Sequence, residues 1–146
     1  MKKMKVIAMM LCISVMWLNL SCSKETDTVT DPIVGTWELI DGTYTSEYSS
    51  GETYIHQAEG WGCCYAENGD YFYKLDIDKA DLEGKWERID SDRVGVLSND
   101  DNSYDVHEIL VLSDNVLKRK IVRTRENGTN PFTFTKIETF KRNIKP

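Results

Sequence analysis

The chain has 146 residues, of which 40% are hydrophobic and 29% are charged. These values are typical of one globular domain and argue against a disordered, collagen-like or multi-span membrane protein. Because 18 Lys and Arg stand against 24 Asp and Glu, giving a net charge of −6, no nucleic-acid partner is expected.

The first 21 residues are predicted to be a signal peptide. Lys2, Lys3 and Lys5 precede the apolar run Val6–Leu18. This run is too short to cross a bilayer, which needs about 20 apolar residues, but it has the length of a signal-peptide core. Removal of the peptide takes away three basic residues and leaves 15 basic against 24 acidic ones, a mature net charge of −9. The mature chain therefore lacks the positive charge that would draw it to anionic lipid headgroups.

The sequence Asn19-Leu20-Ser21-Cys22 follows the apolar run and resembles the lipobox of bacterial lipoproteins. The resemblance implies that Cys22 receives a diacylglycerol and that its amine carries a further acyl chain such as palmitate. Such chains hold a small domain on a membrane, here the outer membrane, facing the periplasm or the outside. The usual Leu three residues before the Cys is Asn19 in this chain. The alternative is an ordinary secretory peptide cut near Ser21.

A polar segment, Ser23–Asp31, is predicted to be a flexible tether between the lipid and the folded domain. Lys24-Glu25 resembles the export signal of some surface lipoproteins. Asp27-Thr28-Val29 resembles a short bacterial O-glycosylation sequon, with Thr28 as the acceptor. A plain linker is the alternative to both interpretations.

Dense runs of β-branched and aromatic residues, separated by Gly, Asn, Asp and Ser, predict an all-β domain over residues 32–146. Every connection is too short for a crossover helix, so neighbouring strands are expected to pair antiparallel. The eight predicted strands are Ile33–Asp41, Glu52–Ala58, Asp70–Ile77, Gly84–Asp90, Arg93–Ser98, Ser103–Leu112, Val116–Thr124 and Phe132–Arg142.

Eight antiparallel strands leave two unpaired edges unless the sheet closes, so we expect an eight-stranded up-and-down barrel. Alternation in the last strand separates an inward from an outward face. Phe132, Phe134 and Phe140 share one face, which Lys136 and Glu138 interrupt.

The first strand contains Gly35-Thr36-Trp37, and this G-x-W spacing resembles the entry strand of the lipocalin superfamily. The turn and aromatic strand NGDYFYKL and a second G-x-W, Gly84-Lys85-Trp86, resemble the small lipocalin-like domain of bacterial lipoproteins. The resemblance covers roughly Ile33 to Arg142. It implies a lipocalin-like barrel without a long helix after its last strand.

Trp37 and Arg142 are predicted to meet, because the first and last strands of a closed meander are neighbours. A guanidinium over an indole ring stabilises by roughly 0.5–2 kcal/mol. Members of the superfamily close one end of the barrel with such a pair, which makes Gly35, Trp37 and Arg142 structural residues. The alternative for Arg142 is a solvated terminal charge.

Cys63 and Cys64 are adjacent and are expected to be free thiols, with a strained vicinal disulfide as the alternative. Together with His56 and His107 they could hold zinc on paper, but adjacent cysteines lack the usual spacing of zinc ligands. The sequence also has no nucleophile elbow, zincin motif or phosphate loop. We therefore predict no metal, no cofactor and no catalytic residue, and a protein that is not an enzyme.

Aromatic residues with polar groups are concentrated between Tyr54 and Tyr73 and suit a cavity for a small hydrophobic or amphipathic ligand. The alternative is a filled barrel that presents the loops Gly42–Gly51 and Glu59–Glu67 to a protein or glycan. The predicted ligand-lining residues are Trp61, Tyr65, Tyr71, Tyr73 and Trp86.

Overall fold

In the computed structural model, the described residues are 29–58, 62–76, 79–126 and 128–143, and they form nine strands. Within these ranges no helix is long and apolar enough to span a membrane. The strands are β1 (Gly35–Tyr48), β2 (Thr53–Gln57), β3 (Gly62–Tyr65), β4 (Asp70–Asp76), β5 (Lys79–Arg88), β6 (Arg93–Ser98), β7 (Tyr104–Leu112), β8 (Val116–Arg125) and β9 (Phe132–Arg142).

The strands close into a barrel, which confirms the predicted all-β, eight-stranded antiparallel up-and-down fold. Strands β3 to β9 pair in sequence order, and β1 pairs with both β3 and β9. The seam between β1 and β9 runs from Trp37 opposite Arg142 to Tyr48 opposite Phe132. The closed ring consists of eight strands, β1 and β3 to β9, and has no free edge along this seam. This closure is expected for a meander of eight strands.

The first part of the barrel differs from the prediction. The segment Gly42–Gly51, expected to be a loop, is strand as far as Tyr48, so β1 is 14 residues long. Its second half pairs with β2, while its first half pairs with β3, a four-residue strand inside the predicted Glu59–Glu67 loop. Two strands thus lie in succession along one side of β1. The second half of β1 is polar and β3 has only four residues, so neither shows enough hydrophobic alternation to be predicted as a strand.

A bulge lets the long β1 follow the curve of the barrel. The register between β1 and β9 shifts between Leu39 and Asp41. The next residue, Gly42, is buried, and a Cβ there would lie 2.7 Å from the Cβ of Ala58. Bulges of this kind bend a strand and increase its twist, which closure requires.

One end of the barrel is closed by Trp37 and Arg142, the pair that the sequence places side by side. The Arg142 guanidinium carbon lies 4.2 Å from the Trp37 ring centroid. Its Nη1 and Nη2 donate to the carbonyls of Val34 (2.8 Å) and Pro32 (2.7 Å). Trp37 Nε1 donates to the carbonyl of Ile33 at 2.8 Å. The entry segment is therefore held down by both members of the pair.

Gly35 makes this arrangement possible. Its φ is +143°, and a Cβ at this position would stand 2.4 Å from Arg142 Nη1. Only glycine allows both the backbone conformation and the close approach of the guanidinium. The G-x-W spacing thus has a direct physical reason in this chain.

The predicted signal peptide, Cys22 and Thr28 lie outside the described residues. Of the predicted tether, residues 29–31 are described, and Asp31 is hydrogen bonded to the barrel. Asp31 Oδ2 accepts from Arg88 Nε at 2.7 Å, and its Oδ1 accepts from the backbone N–H of Ile33 at 3.0 Å. Asp31, the last residue of the predicted tether, thus bonds to β5 and to the entry segment.

Candidate functional site

A cavity of about 340 Å³ occupies the part of the barrel away from the Trp37–Arg142 end. Along β9 it is lined by Phe134 and Lys136, whereas Phe140 belongs to the packed core. The volume is within the range of small-molecule sites, roughly 300–1,000 Å³. The lining residues are Tyr71, Tyr73, Glu83, Val96, Ser98, Asp100, Asp101, Ser103, Asp105, His107, Arg119, Ile121, Arg123, Phe134 and Lys136.

An ion pair between Arg119 and Glu138 lies at the inner limit of the cavity. The two residues are directly opposite on β8 and β9, and both side chains point into the barrel. Arg119 Nε donates to Glu138 Oε2 at 2.9 Å, and Nη2 lies 2.8 Å from the same oxygen. Their side chains are 1% and 0% exposed. Burial opposes ionisation of Glu138, but Arg119 and Lys136 outweigh it and lower its pKa.

The second carboxylate oxygen of Glu138 faces Lys136 and two tyrosines. Lys136 Nζ lies 3.0 Å from Glu138 Oε1, while the hydroxyls of Tyr44 and Tyr73 donate to it at 3.2 and 3.4 Å. The Lys136 ammonium also donates to the Tyr73 hydroxyl at 2.7 Å and lies 4.5 Å from that ring's centroid. Burial lowers the pKa of Lys136, and Glu138 opposes this shift.

On its other side, Arg119 binds two tyrosine hydroxyls and approaches a histidine. Nη1 donates to Tyr65 and Tyr71, both at 2.8 Å, and lies 3.3 Å from His107 Nδ1. The Tyr65 hydroxyl is 2.7 Å from the same nitrogen. A guanidinium can only donate, so the arrangement assigns Nδ1 as the acceptor of the Tyr65 O–H. Burial, and then Arg119, lowers the pKa of His107 well below its usual value, so His107 is neutral at pH 7.

The buried cluster, defined as Arg119, Lys136, Glu138 and His107, carries a surplus of positive charge. Two of its members are cations, one is a carboxylate and the histidine is neutral. Arg119 Nη2 is enclosed and has no aligned hydrogen bond to any described residue. A charge in this setting is poorly screened, so the surplus acts on whatever enters the cavity.

The rim of the cavity has the opposite sign. Glu83, Asp100, Asp101 and Asp105 line it, and Arg123 is the cation among them. Arg123 is already bound to Asp105, with Nε donating to Oδ1 at 2.8 Å. Burial, together with nearby Asp100, raises the pKa of Glu83. The cavity therefore runs from an acidic rim to a cationic floor.

The structure brings only part of the predicted ligand-lining set to the cavity. Tyr71 and Tyr73 line it. Tyr65 is fully buried and hydrogen bonded to Arg119, and Trp86 packs edge-on against Tyr65 and donates to the Ala66 carbonyl at 2.8 Å. Neither side chain lines the cavity, and the polar atoms of both are already bonded within the protein. Trp61 lies outside the described residues.

The charged residues of the cluster were not recognised as site residues from the sequence. A signal for them exists, because Lys136 and Glu138 occur on the same parity as Phe134 and Phe140, and Arg119 shares the parity of the buried Leu117 and Ile121. Charges that repeatedly occupy the inward face of a strand indicate a buried polar network.

The two cysteines of β3 point to opposite sides of the sheet. Cys63 is buried and burial raises the pKa of its thiol to about 12, whereas Cys64 is partly exposed. Both are free thiols. His56 is exposed on β2 and His107 is buried on β7, so the set considered for zinc is dispersed. Across the described part of the chain, no three His, Cys, Asp or Glu side chains come close enough to hold a metal ion.

The comparisons with known proteins add no relative. No protein-family model matches the chain, and no curated protein matches it significantly.

Proposed function

We propose that this protein is a lipid-anchored, lipocalin-like barrel that binds a small amphipathic ligand without catalysis. The observation that carries the proposal is the 340 Å³ cavity, because a barrel whose interior served only stability has no need of an open volume of this size. It is also the observation that favours ligand binding over a filled interaction module.

An amphipathic ligand suits both kinds of surface in the cavity. Val96, Ile121 and Phe134 provide apolar contact, and Tyr71 and Tyr73 add aromatic rings. Burial of apolar ligand surface contributes about 25 cal/mol per Å². Charged and hydroxyl groups between these side chains would fix the orientation of the polar end.

The pairing of the interior charges supports binding rather than catalysis. Glu138 is held by both Arg119 and Lys136, so its carboxylate is already neutralised within the protein. His107 accepts from Tyr65 and lies against Arg119, whose charge opposes its protonation. Such groups position a ligand, but they are poorly placed to exchange protons with one at neutral pH.

Native mass spectrometry of the protein purified from its own host in mild detergent tests the ligand proposal. We expect a co-purifying small molecule on the unmodified chain. Val96→Trp fills the cavity from β6 and should remove the bound mass, whereas Leu97→Trp, the next residue on the outer face, should retain it. A protein without any bound molecule, or an adduct that survives Val96→Trp, contradicts the proposal.

The lipid anchor has a separate test. Growth with an alkyne analogue of palmitate should label the unmodified protein, and Cys22→Ser should lose the label and leave the membrane fraction. Cys12→Ser, inside the predicted signal peptide, is the matched control and should keep both properties. Labelling that persists in Cys22→Ser contradicts the proposed anchor.

A further inference from the structure

We propose that the cavity floor is a carboxylate-binding subsite, in which Lys136 receives the anionic end of a small ligand with Arg119 behind it. The acidic rim would then select a ligand whose outer end is neutral or cationic. This inference rests on the proposed function and deepens it by naming the chemical class of the ligand.

The charge of the floor is the first argument. Glu138 neutralises one of the two cations that contact it, and no other acidic side chain among the described residues is placed within hydrogen-bonding distance of Arg119 or Lys136. A single ligand carboxylate would balance the remaining charge. The hydrogen bond between that carboxylate and the Lys136 ammonium would be charge-assisted. Such a bond is about twice as strong as one between neutral groups.

The second argument is that one N–H donor of the Lys136 ammonium is not used within the described structure. Its ammonium has three N–H bonds, of which one donates to Tyr73 and one faces Glu138. No described residue accepts the third, and the side chain lines the cavity with 14% of its surface exposed. The ammonium also lies 5.0 and 4.5 Å from the ring centroids of Tyr44 and Tyr73. A carboxylate in the cavity can reach the third donor without breaking the hydrogen bond to Tyr73 or the ion pair with Glu138.

The rim gives the third argument, which concerns selectivity. Four acidic residues and one cation line the rim, and that cation, Arg123, is already bound to Asp105. A second negative charge at the outer end of the ligand would lie among the carboxylates of the rim, which would repel it. An ammonium at the same place would be attracted, so a zwitterion that enters with its carboxylate first matches both ends.

A series of six-carbon probes of similar length tests the inference by calorimetric titration. The full-length protein is reconstituted in lipid nanodiscs, and empty nanodiscs are titrated as the blank. Hexanoate should bind roughly tenfold or more tightly than its neutral analogue hexanamide, since a charge-assisted hydrogen bond contributes on that scale. We expect 6-aminohexanoate to bind at least as tightly as hexanoate, and adipate, with two carboxylates, to bind severalfold more weakly.

Two substitutions on β9 locate the effect. Lys136→Met should reduce the preference for hexanoate over hexanamide to about onefold, while Lys136→Arg should retain most of it. Lys141→Met is the matched control, because Lys141 lies on the same strand with an exposed side chain and contacts Glu38 instead. If Lys136→Met does not fold, the comparison of hexanoate with hexanamide on the unmodified protein decides alone.

The outcomes separate the two proposals. Equal binding of hexanoate and hexanamide, or a preference for hexanoate that survives Lys136→Met, overturns the carboxylate subsite and leaves ligand binding intact. Adipate binding as tight as that of hexanoate overturns the role of the rim. If none of the probes binds and no molecule co-purifies, the proposed function itself fails.

Discussion

Arg119 and Glu138 are cross-strand neighbours on β8 and β9, and their ion pair is almost completely enclosed by the barrel. Buried ion pairs contribute little net stability compared with a well-packed apolar pair, but the loss of one partner leaves an uncompensated charge. In this protein the pair also organises four tyrosines and a histidine. The stability of the folded barrel should therefore depend strongly on both Arg119 and Glu138.

The first prediction concerns Arg119. Arg119→Met should lower the free energy of unfolding by about 3–5 kcal/mol, because Glu138 loses its closest partner and the buried hydroxyls of Tyr65 and Tyr71 lose their donor. Adding Glu138→Gln should not recover this loss, since Lys136 then loses the carboxylate that it faces. Urea denaturation measures both. As a control, Lys120→Met breaks an exposed pair with Glu108 and should cost less than about 1 kcal/mol. A cost for Arg119→Met no larger than this control contradicts the prediction.

The second prediction concerns pH. The pKa of His107 is well below 6.5 in the folded protein because burial, and then Arg119, disfavours the charged form. The unfolded chain therefore binds a proton first as the pH falls through about 6.5, so stability declines from that pH downward. Between pH 7.5 and pH 5.5 the loss should be roughly 1 kcal/mol.

His107→Gln should remove most of this decline, as measured by urea denaturation at the two pH values. His56→Gln, at an exposed position on β2, should leave the decline unchanged. A decline that is the same in both variants would assign it to groups other than His107.

The third prediction concerns the adjacent cysteines. Successive side chains of a strand point to opposite faces, so Cys63 and Cys64 should remain unlinked in the folded protein. Because Cys64 is partly exposed and Cys63 is buried with a pKa of about 12, iodoacetamide should modify Cys64 much faster. Peptide mass spectrometry reads both positions. A disulfide between them, or equal labelling rates, would be inconsistent with the pairing of β3.

The fourth prediction separates backbone strain from steric contact at Gly35. Gly35→Ala places a Cβ at a φ of +143° and 2.4 Å from Arg142 Nη1. Gly128→Ala is the matched control, with a φ of +137° and, among the described residues other than its chain neighbours, no atom within 4 Å of the new Cβ. Each should lose about 1–2 kcal/mol from the backbone term, and Gly35→Ala should lose at least about 1 kcal/mol more. Equal losses in thermal or urea unfolding would show that the contact with Arg142 costs nothing.

The barrel could be predicted from the sequence because its evidence is local. Alternation within single strands and short turns between them define β4 and β6 to β9, and antiparallel neighbours follow from the short connections. Closure followed from the number of strands, and the meeting of Trp37 and Arg142 followed from closure. Gly35 was identified by its spacing from Trp37, although the sequence alone did not supply the steric reason.

The second half of β1, the short β3 and the charged interior were decided by tertiary structure. Polar and four-residue strands form when neighbouring strands satisfy their backbone groups, and such neighbours are not visible in a local pattern. The cluster joins residues far apart in the chain, since Tyr65 and His107 are 42 positions apart and Arg119 and Glu138 are 19 apart. In the sequence, Arg119 and Glu138 each interrupt the apolar pattern of a strand, because the partners that make their burial possible lie on other strands.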